Sequence, residues 1–477
     1  MKTIDPRKRV CLIFEGTYPY VTGGVAVWAH ELIAGLPQFD FSIVALTDRP
    51  RTAADYKFAL PPNVREVVTV NLTRPQGRSR LIRRFQKKKT IQKVAEAFGA
   101  AFDGLGRNDF GPLRELVRQV EDADMDENNL LDNAVFWNVI SRLYTSLGSD
   151  DSFARFFWVW ETMARSAVRL FRTPLPEADV YHCAATGYAG LVGCLAKIRF
   201  HKPLVLSEHG LYLQERQMEV AFHEVLRGGQ RKAVETFFEW ISRWTYREAD
   251  QVTSLADFIR QHQVELGADP SKAVIIPNGI DIARFAGVPR RAHTGFRVGL
   301  VGRVAPVKDI KLLIQAAAEL APTMPDLNVA IVGPVEDPIY ERECRDLVSS
   351  LDLGSVVTFE GLKEASACYA DLDLMVICSL KEVQPLTVLE AMAAGVPMVA
   401  TRSGGIPEML SGIGQVVPPR DLSQLARTIR RVHADGELRR KMIEAGRERV
   451  KRYELSQTLS RFNDVYNGVI KEATWVA

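Results

Sequence analysis

The sequence predicts an α/β protein built from two doubly wound domains. Short apolar runs alternate with amphipathic helical stretches in two separate series, which open with RVCLIFEG and FRVGLVGRV. Apolar runs of this kind are typical of buried parallel strands, and their alternation with helices predicts a sheet covered on both faces. The chain has 477 residues, which is too long for one hydrophobic core and favours at least two domains.

The first domain is predicted over residues 1–288. Its first strand, RVCLIFEG, leads through VTGG into the helical stretch VAVWAHELIAGL. One face of that helix carries Val25, Trp28, Leu32 and Leu36. FSIVALTD is the next predicted strand, and the series resumes later with ADVYHCAA, KPLVLSEHG, ADQVTSLA and AVIIPNGI.

An insertion of about residues 73–175 interrupts this series after the second strand. It contains the basic stretch RSRLIRRFQKKK and the acidic stretch EDADMDE, and the remainder has a helical pattern. Four aromatic residues recur there at helical spacing: Phe153, Phe156, Phe157 and Trp160. Such a stripe is more often the core of a group of helices than a ligand surface.

The second domain is predicted over residues 289–455, after the linker AGVPRRAHTG. Its predicted strands are FRVGLVGRV, LNVAIVGP, VVTFEG, DLMVICS, PMVAT and GQVVPP. Residues 456–477 are expected to form a helix that packs back on the first domain. Two such domains facing each other would leave a cleft lined by the carboxyl ends of their strands, where α/β sheets bind ligands.

Composition excludes several classes of protein. The formal net charge of +3 is too small to predict a nucleic-acid partner, and the absence of a GxGxxG motif after either first strand disfavours a dinucleotide oxidoreductase. Six scattered cysteines without a CxxC pair are expected to be buried thiols in a reducing compartment. Because the sequence shows neither a signal-peptide pattern nor an apolar run of about 18 residues, a cytoplasmic location is expected.

The stretch KEVQPLTVLE places Glu382 before a predicted helix and Glu390 inside it. Pro385 suits the first helical position, and the helix is expected to run over about 386–394 and to stop at Gly395. Its exposed amides would bind an anion, for which a phosphate is the better candidate. Since carboxylates accept hydrogen bonds from hydroxyl groups, a nucleotide sugar fits the pattern. Taken alone, a solvated Glu382 and a helix-capping Glu390 explain it at least as well.

Two cations follow the first strand of the second domain. In VGRVAPVKD these are Arg303 and Lys308, and both are expected to point into the same cleft, where they would neutralise a diphosphate leaving group. Taken singly, such residues are usually surface charges, but their combination with the two glutamates is more specific. The DxD pair, Asp371 and Asp373, precedes a buried strand and is interpreted as a cap at the start of that strand rather than as a metal site.

These residues resemble the retaining glycosyltransferases of the GT4 type, which have the GT-B fold. The glutamate pair with the two upstream cations fits that family, as do PNGID, LEAMAAGVPMVAT, SGGIPE and VVPPRD, and the resemblance covers nearly the whole chain. FEGTYPYVTGGVAVW, SEHGLYLQER, GRVAPVKDIK and VQPLTVLEAM, together with the helical insertion, resemble the PelF subgroup. Members of that subgroup help make the exopolysaccharide Pel.

The resemblance implies a role for the charged residues of the second domain. Arg303 and Lys308 would bind the donor diphosphate. Glu382 would contact hydroxyl groups of the donor sugar, and Glu390 would hold the ribose.

It also implies roles for backbone and first-domain positions. The backbone of Leu386 and Thr387 would contact the phosphates, and the loop at Gly361 and Leu362 would abut the base. Gly23 and Gly24 would form a loop that closes near the phosphates and the acceptor. His209, which ends the strand LVLSEH, would lie beside the reacting sugar.

Three positions need separate comment before the roles implied by the family are applied to this sequence. His182, in DVYHCAA, is interpreted as a structural residue. Val383 and Arg420 stand where the family often has glycine, and a missing glycine restricts the backbone because only glycine takes positive φ freely. Neither departure removes a charged group that the chemistry requires.

The implied activity is transfer of a hexose or N-acetylhexosamine from a UDP-sugar to a growing polysaccharide, with retention of configuration and without a metal or other cofactor. Two alternatives remain: a GT-B nucleotide-sugar epimerase, and a non-catalytic nucleotide-sugar-binding scaffold. The PelF resemblance also implies an inner-membrane export complex as a partner. The seven cations of RSRLIRRFQKKK would hold the protein at an anionic leaflet, unless they face EDADMDE of the same insertion.

Overall fold

The computed structural model describes residues 7–73, 88–105, 107, 109–123, 134–147, 152–171, 173–222, 228–289 and 291–476. Within it the chain forms two compact units: Met1–Ile275 with Phe462–Ala477, and Ile276–Arg461. Both units are parallel α/β sheets with helices between the strands, so the predicted fold class is confirmed.

The first unit contains a seven-stranded parallel sheet. Its strands are β1 (Lys8–Glu15), β2 (Phe39–Thr47), β3 (Val64–Asn71), β4 (Val180–Cys183), β5 (Leu204–Glu208), β6 (Gln251–Ser254) and β7 (Ala273–Ile275). Their order across the sheet is β3-β2-β1-β4-β5-β6-β7. The sequence analysis did not predict β3, so the insertion follows the third strand and not the second. This strand, VREVVTVN, lies at the sheet edge and is mostly half-exposed, and it therefore lacks the continuous apolar run of a buried strand.

Nine helices are described in the first unit before its final stretch. They are α1 (Gly24–Gly35), α2 (Lys88–Leu105), α3 (Gly111–Ala123), α4 (Ala134–Ser146), α5 (Phe153–Leu170), α6 (Tyr188–Phe200), α7 (Tyr212–Phe222), α8 (Gly228–Glu248) and α9 (Asp257–Glu265). The insertion supplies α2 to α5, as its pattern predicted. Phe156 and Trp160 are buried in the core of the unit, which confirms that the aromatic stripe is structural.

Other predicted features of the insertion lie outside the described residues. These are most of the basic stretch RSRLIRRFQKKK, including the side chains of its last two lysines, and the side chains of EDADMDE. All six cysteines are buried thiols, as expected. In the described part of the chain, no helix combines the length and the apolar character that crossing a membrane requires.

The second unit contains a six-stranded parallel sheet. Its strands are β8 (Phe296–Val301), β9 (Leu327–Val332), β10 (Val357–Gly361), β11 (Leu374–Ile377), β12 (Met398–Thr401) and β13 (Gln415–Val417). Their order is β10-β9-β8-β11-β12-β13. The remaining helices are α10 (Ile282–Ala286), α11 (Ile310–Leu320), α12 (Pro338–Ser350), α13 (Leu386–Ala394), α14 (Ile406–Leu410), α15 (Leu422–Ala434), α16 (Gly436–Val450) and α17 (Leu455–Val476).

The last helix, α17, starts in the second unit and belongs to the first from Phe462 onward. In the first unit, Tyr466 is fully buried and its ring lies 5.4 Å from that of Phe39. The ring of Phe462 lies 5.6 Å from that of Trp28. These aromatic contacts fix the final stretch of the chain against β2 and α1.

A bidentate ion pair joins the helical insertion to the body of the first unit. Arg114 on α3 donates from Nε and Nη2 to the two carboxylate oxygens of Glu248 on α8, at 2.7 and 2.8 Å. Glu248 is buried, and Trp244 Nε1 also donates to it at 3.2 Å. Planar, two-point pairs of this kind are among the strongest in proteins.

We expect Arg114→Ala to lower the free energy of unfolding by about 2 kcal/mol, because it leaves a buried carboxylate with one neutral donor. Arg142→Ala is the matched control, since the Arg142–Asp103 pair of the same insertion is about half exposed on both sides. Arg142→Ala should lower the free energy of unfolding by less than about 1 kcal/mol. Equal losses for the two variants in urea denaturation would show that the buried pair does not hold the insertion.

Candidate functional site

In the second unit, the predicted charged residues meet where the strand order reverses. β8 and β11 are neighbours in the sheet, but their connections lead to strands on opposite sides, β9 and β12. In parallel α/β sheets this point is the usual ligand site, because no connection covers it. Arg303 and Lys308 follow β8 and Glu382 follows β11, so all three lie at this carboxyl edge.

The two loops are joined by one backbone hydrogen bond and one ion pair. The N–H of Leu380 donates to the carbonyl of Val307 at 2.9 Å. One residue further on, Lys308 Nζ contacts Glu382 Oε1, with side-chain exposures of 19% and 13%. The structure therefore brings together a cation and a carboxylate that the sequence analysis predicted for one ligand.

Arg303 has a different partner. Its guanidinium contacts the carboxylate of Glu336, which lies after β9, and both side chains are nearly half exposed. The structure places Arg303 at the predicted edge, but the ion pair that it forms there is separate from the pair of Lys308 with Glu382. Sequence reasoning did not identify Glu336.

The helix predicted behind Glu382 is confirmed as α13, Leu386–Ala394, with Gly395 in the left-handed conformation at its end. Pro385 lies one position earlier than predicted, at the N-cap, where it provides no side-chain hydrogen bond. The first N–H groups of a helix have no intrahelical acceptor. Those of Leu386 and Thr387 therefore remain available, next to the Lys308–Glu382 pair, for an anionic ligand.

Glu390 lies one turn inside α13. Its Oε2 accepts a hydrogen bond of 2.5 Å from the hydroxyl group of Tyr369. Burial raises the pKa of Glu390, and the hydrogen bond from Tyr369 acts in the opposite direction. Tyr369 thereby fixes the orientation of the Glu390 carboxylate, and among the described residues no hydrogen bond is made to its second oxygen, which can accept one from a ligand.

Two family motifs hold the loop that carries Glu382. In SGGIPE, Gly404 has φ +49 and a Cβ there would overlap the carbonyl oxygen of Glu382, while the N–H of Gly405 donates to the carbonyl of Val383 at 3.1 Å. From PNGID, the N–H of Asn278 donates to the buried Gln384 Oε1 at 2.7 Å. Sequence reasoning quoted both motifs but gave them no such role, because their contacts cross more than 20 residues of chain.

The two departures from the family pattern differ in their structural effect. Val383 is absent from the described non-glycine residues with positive φ, so its position does not require glycine. Arg420, by contrast, has a φ of +60, which lies in the left-handed region that costs a non-glycine residue about 1–2 kcal/mol. The concern about a missing glycine therefore applies to Arg420 alone.

Four predicted positions of the second unit lie away from the Lys308–Glu382 pair. Gly361 ends β10, two strands away from β8, and Leu362 is 77% exposed, so their contact with a base stays a prediction. Asp373 Oδ2 accepts from the N–H of Arg297 at 2.9 Å, and Asp371 lies 3.5 Å from Arg297 Nε. Both precede β11 and so lie at the opposite, amino edge of the sheet. Asp373 caps the start of the neighbouring strand β8 rather than of β11, whereas Asp371 pairs with the side chain of Arg297.

The first unit has a second candidate site, where β1 and β4 are neighbours and the strand order reverses. A cavity of about 250 Å³ lies there. Its polar lining includes Glu15, Thr17, Glu208, His209, Glu215 and Arg216. The ring of His209 packs 4.2 Å from that of Trp28 on α1, and Val25, next to Gly23 and Gly24 at the start of α1, also lines the cavity. His209 therefore lines the cavity, whereas Gly23 and Gly24 precede the lining residue Val25, and their closing of a loop over a ligand stays a prediction.

His182 is structural, as interpreted. It is fully buried, its Nδ1 lies 2.7 Å from the hydroxyl group of Tyr466, and its Nε2 lies 2.6 Å from that of Ser207. Burial lowers its pKa to about 3. His209, not His182, lines the cavity, and its predicted place beside a reacting sugar stays a prediction; the sequence analysis missed the charged residues beside it. The sequence offered one indication of these charged residues, because they lie within the family motifs FEG and SEHGLYLQER.

Comparison with known proteins identifies the family. Residues 8–271, more than half of the chain, match the family model "Domain of unknown function (DUF3492)", and the chain belongs to this family. Residues 283–449 match the model "Glycosyl transferases group 1". Over residues 283–449 the expected family is thereby supported at the level of group 1 glycosyltransferases, whereas the PelF subgroup stays a prediction.

Curated relatives are distant. D-inositol 3-phosphate glycosyltransferase of Kineococcus radiotolerans is 30% identical over 50% of this chain and 61% of its own length. The aligned region thus spans about three fifths of that relative. Phosphatidyl-myo-inositol mannosyltransferase of Mycolicibacterium smegmatis is 29% identical over 57% of this chain and 71% of its own length.

Solved structures show the fold. Sucrose-phosphate synthase of Thermosynechococcus elongatus has a TM-score of 0.62 at 19% identity, covering 98% of this chain and all of its own. HepE of Anabaena, solved in complex with UDP, has a TM-score of 0.59 at 15% identity, covering 97% of this chain and all of its own. These likenesses confirm the GT-B fold.

We expect Gly404→Ala to displace the loop that carries Glu382, because the added Cβ would overlap the Glu382 carbonyl oxygen. Gly412→Ala is the matched control: Gly412 has φ +75 but open space around it, so it isolates the backbone cost of about 1–2 kcal/mol. Gly404→Ala should cost more than this control in urea denaturation and should speed amide exchange at Gly405. Identical behaviour of the two variants would mean that the close approach does not position Glu382.

Proposed function

We propose that this member of the DUF3492 family is a retaining glycosyltransferase that moves a hexose or N-acetylhexosamine from a UDP-sugar to a growing polysaccharide. The second unit would bind the donor, and the first unit would supply the acceptor side. The observation that carries the proposal is the Lys308–Glu382 pair beside the uncapped N-terminus of α13.

The chemistry of that arrangement favours a nucleotide sugar. A diphosphate carries two negative charges close together, and Lys308 with the free N–H groups of α13 offers a cation and oriented donors at one point. Glu382 and Glu390, on either side, accept hydrogen bonds from hydroxyl groups. A ligand with a diphosphate between two hydroxyl-bearing groups uses all of these residues at once.

In the proposed roles, Lys308 and Arg303 bind the diphosphate, Glu382 contacts the donor sugar, and Glu390 holds the ribose. Arg303 exchanges Glu336 for a phosphate oxygen, which is an inexpensive exchange because a nearly half-exposed ion pair contributes little. Tyr369 keeps Glu390 oriented toward the ribose.

We assign the transfer to front-face attack. The bond between the anomeric carbon and the diphosphate oxygen breaks, the acceptor oxygen bonds to the same carbon on the same face, and the acceptor proton passes to the departing phosphate. Lys308, Arg303 and the α13 N-terminus stabilise the charge that develops on that phosphate. His209 lies beside the reacting sugar in this assignment, and no step is assigned to a metal ion.

Two further observations support the finer parts of the proposal. HepE of Anabaena has been solved with UDP and with UDP-glucose, which favours a uridine donor here. The motif resemblance to the PelF subgroup favours Pel-type exopolysaccharide synthesis with an inner-membrane export complex as partner. A donor screen for nucleoside diphosphate release, run in EDTA with several UDP-, GDP- and ADP-sugars, is the direct test. Release from none of them, or release of free altered sugar without acceptor, would refute transferase activity.

Lys308→Ala and Arg303→Ala should each lower donor turnover roughly 10- to 1,000-fold, as loss of a preorganised contact to a leaving group does. Both should also weaken binding of the nucleoside diphosphate. Lys311→Ala is the control, because Lys311 pairs with Glu343 on α12 and has no proposed role at the ligand. This variant should turn over the donor at the normal rate. Near-normal turnover in the Lys308→Ala/Arg303→Ala double variant would remove the diphosphate assignment.

Substitutions of the two glutamates should differ in their effect on the binding affinity for UDP. Glu390→Ala should weaken UDP binding, because the ribose belongs to both donor and product, whereas Glu382→Ala should spare UDP and impair only the sugar-bearing donor. Tyr369→Phe, which keeps the Glu390 carboxylate but removes the hydrogen bond that orients it, should lower UDP affinity less than Glu390→Ala does. Titration calorimetry with UDP measures all three, and equal losses for the two glutamate variants would show that their roles are wrongly divided.

A further inference from the structure

The cavity of the first unit has a size that suits one sugar ring. Its volume of about 250 Å³ lies just below the range of about 300–1,000 Å³ that is usual for small-molecule pockets. The lining combines acidic, hydroxyl and imidazole groups with small residues, among them Ala184, Ala185 and Gly210. This composition offers several hydrogen-bonding partners to a polyhydroxylated ligand.

The cation in the lining is already committed. Arg216 Nη2 donates to Glu15 Oε1 at 3.0 Å, and its guanidinium lies 5.2 Å from the ring centre of Tyr212 and 5.4 Å from that of Phe238. The second oxygen of Glu15 accepts from the N–H of Tyr188 at 2.8 Å. Arg216 therefore balances Glu15 and leaves no net positive charge for an anionic ligand.

Glu208 adds a second carboxylate, which is buried. Its Oε2 accepts from Tyr246 at 2.5 Å and from Gln263 at 3.1 Å, and its Oε1 lies 3.4 Å from the Thr186 hydroxyl group. Burial raises the pKa of Glu208 to about 7, so near neutral pH this group is ionised in part of the molecules. Its charge adds to the negative potential of the cavity as pH rises.

Glu215 is the third carboxylate, and its surroundings differ from those of the other two. It lies in the first turn of α7, with its carboxylate over the backbone of Gly210. Within the part of the chain that the structure describes, no cation pairs with it. The carboxylate of Glu215 is also more exposed than that of Glu208, so its charge faces whatever enters the cavity.

We propose that this cavity receives the acceptor as a neutral or amino sugar ring, that it rejects anionic rings, and that Glu215 determines this specificity. The proposal rests on the proposed function, in which the first unit supplies the acceptor side. After Arg216 and Glu15 cancel, the cavity carries at least one uncompensated negative charge. A carboxylate or phosphate on the entering ring would meet that charge across a few ångströms, a distance at which like charges repel even when one of them is exposed to solvent.

Glucose, glucosamine and glucuronate provide a matched test, because they share a ring and differ mainly in charge. Dissociation constants from ligand-observed NMR, on the full chain with saturating UDP, compare wild type with Glu215→Gln and Glu215→Lys. Wild type should bind glucose and glucosamine at least about tenfold more tightly than glucuronate. Glu215→Gln should narrow this difference, and Glu215→Lys should reverse the order of glucosamine and glucuronate.

Glu235→Gln is the control, since Glu235 pairs with Arg231 on α8 and does not line the cavity; it should keep the wild-type ratios. Equal binding of glucose and glucuronate by wild type, absence of binding for all three sugars, or unchanged ratios in both Glu215 variants would overturn the proposal. UDP calorimetry on the same samples separates the two levels. If the wild type binds UDP but binds the three sugars without selectivity, only this inference is refuted. If the wild type does not bind UDP, the proposed function is refuted.

Discussion

The placement of every candidate functional residue depends on one constraint, the direction of the strands. In each sheet all described strands run parallel, and the order reverses once, between β1 and β4 in the first unit and between β8 and β11 in the second. All strand carboxyl ends therefore lie along one edge, and at the reversal no connection crosses over them. Side chains that follow neighbouring strands meet there even when many residues separate them in sequence.

The loop that carries Glu382 is also held rigidly next to the charged residues of the second unit. The Glu382 loop is tied on three sides: Leu380 to Val307, Asn278 to Gln384, and Gly405 to Val383. Each is a backbone or buried hydrogen bond, so the loop is fixed before any ligand arrives. Electrostatic stabilisation of a leaving group is effective when the charges need no rearrangement during the reaction, and these contacts supply that condition for Lys308 and Glu382.

Sequence patterns predicted best what depends on local structure. α13 was predicted with its first and last residues, because a proline and a glycine mark its ends. The edge strand β3 escaped prediction because its exposed face interrupts the apolar run. Two ion pairs were not predicted for another reason: Arg303 with Glu336, and Glu15 with Arg216. Such pairs depend on which loops meet in space, and no local pattern in a single sequence encodes that.

The ion pairs of the second unit also bear on how a donor would be received. Lys308 contacts Glu382 in the structure, yet the proposed roles give Lys308 to the diphosphate and Glu382 to the sugar. In those roles, a diphosphate that binds Lys308 would release the Glu382 carboxylate toward the sugar hydroxyl groups. The pair avoids leaving either charge buried and unpaired in the free protein, which would be costly. With these proposed roles, a ligand that supplied only the phosphate, or only the sugar, would leave one member without a partner, so the two contacts would favour the intact nucleotide sugar.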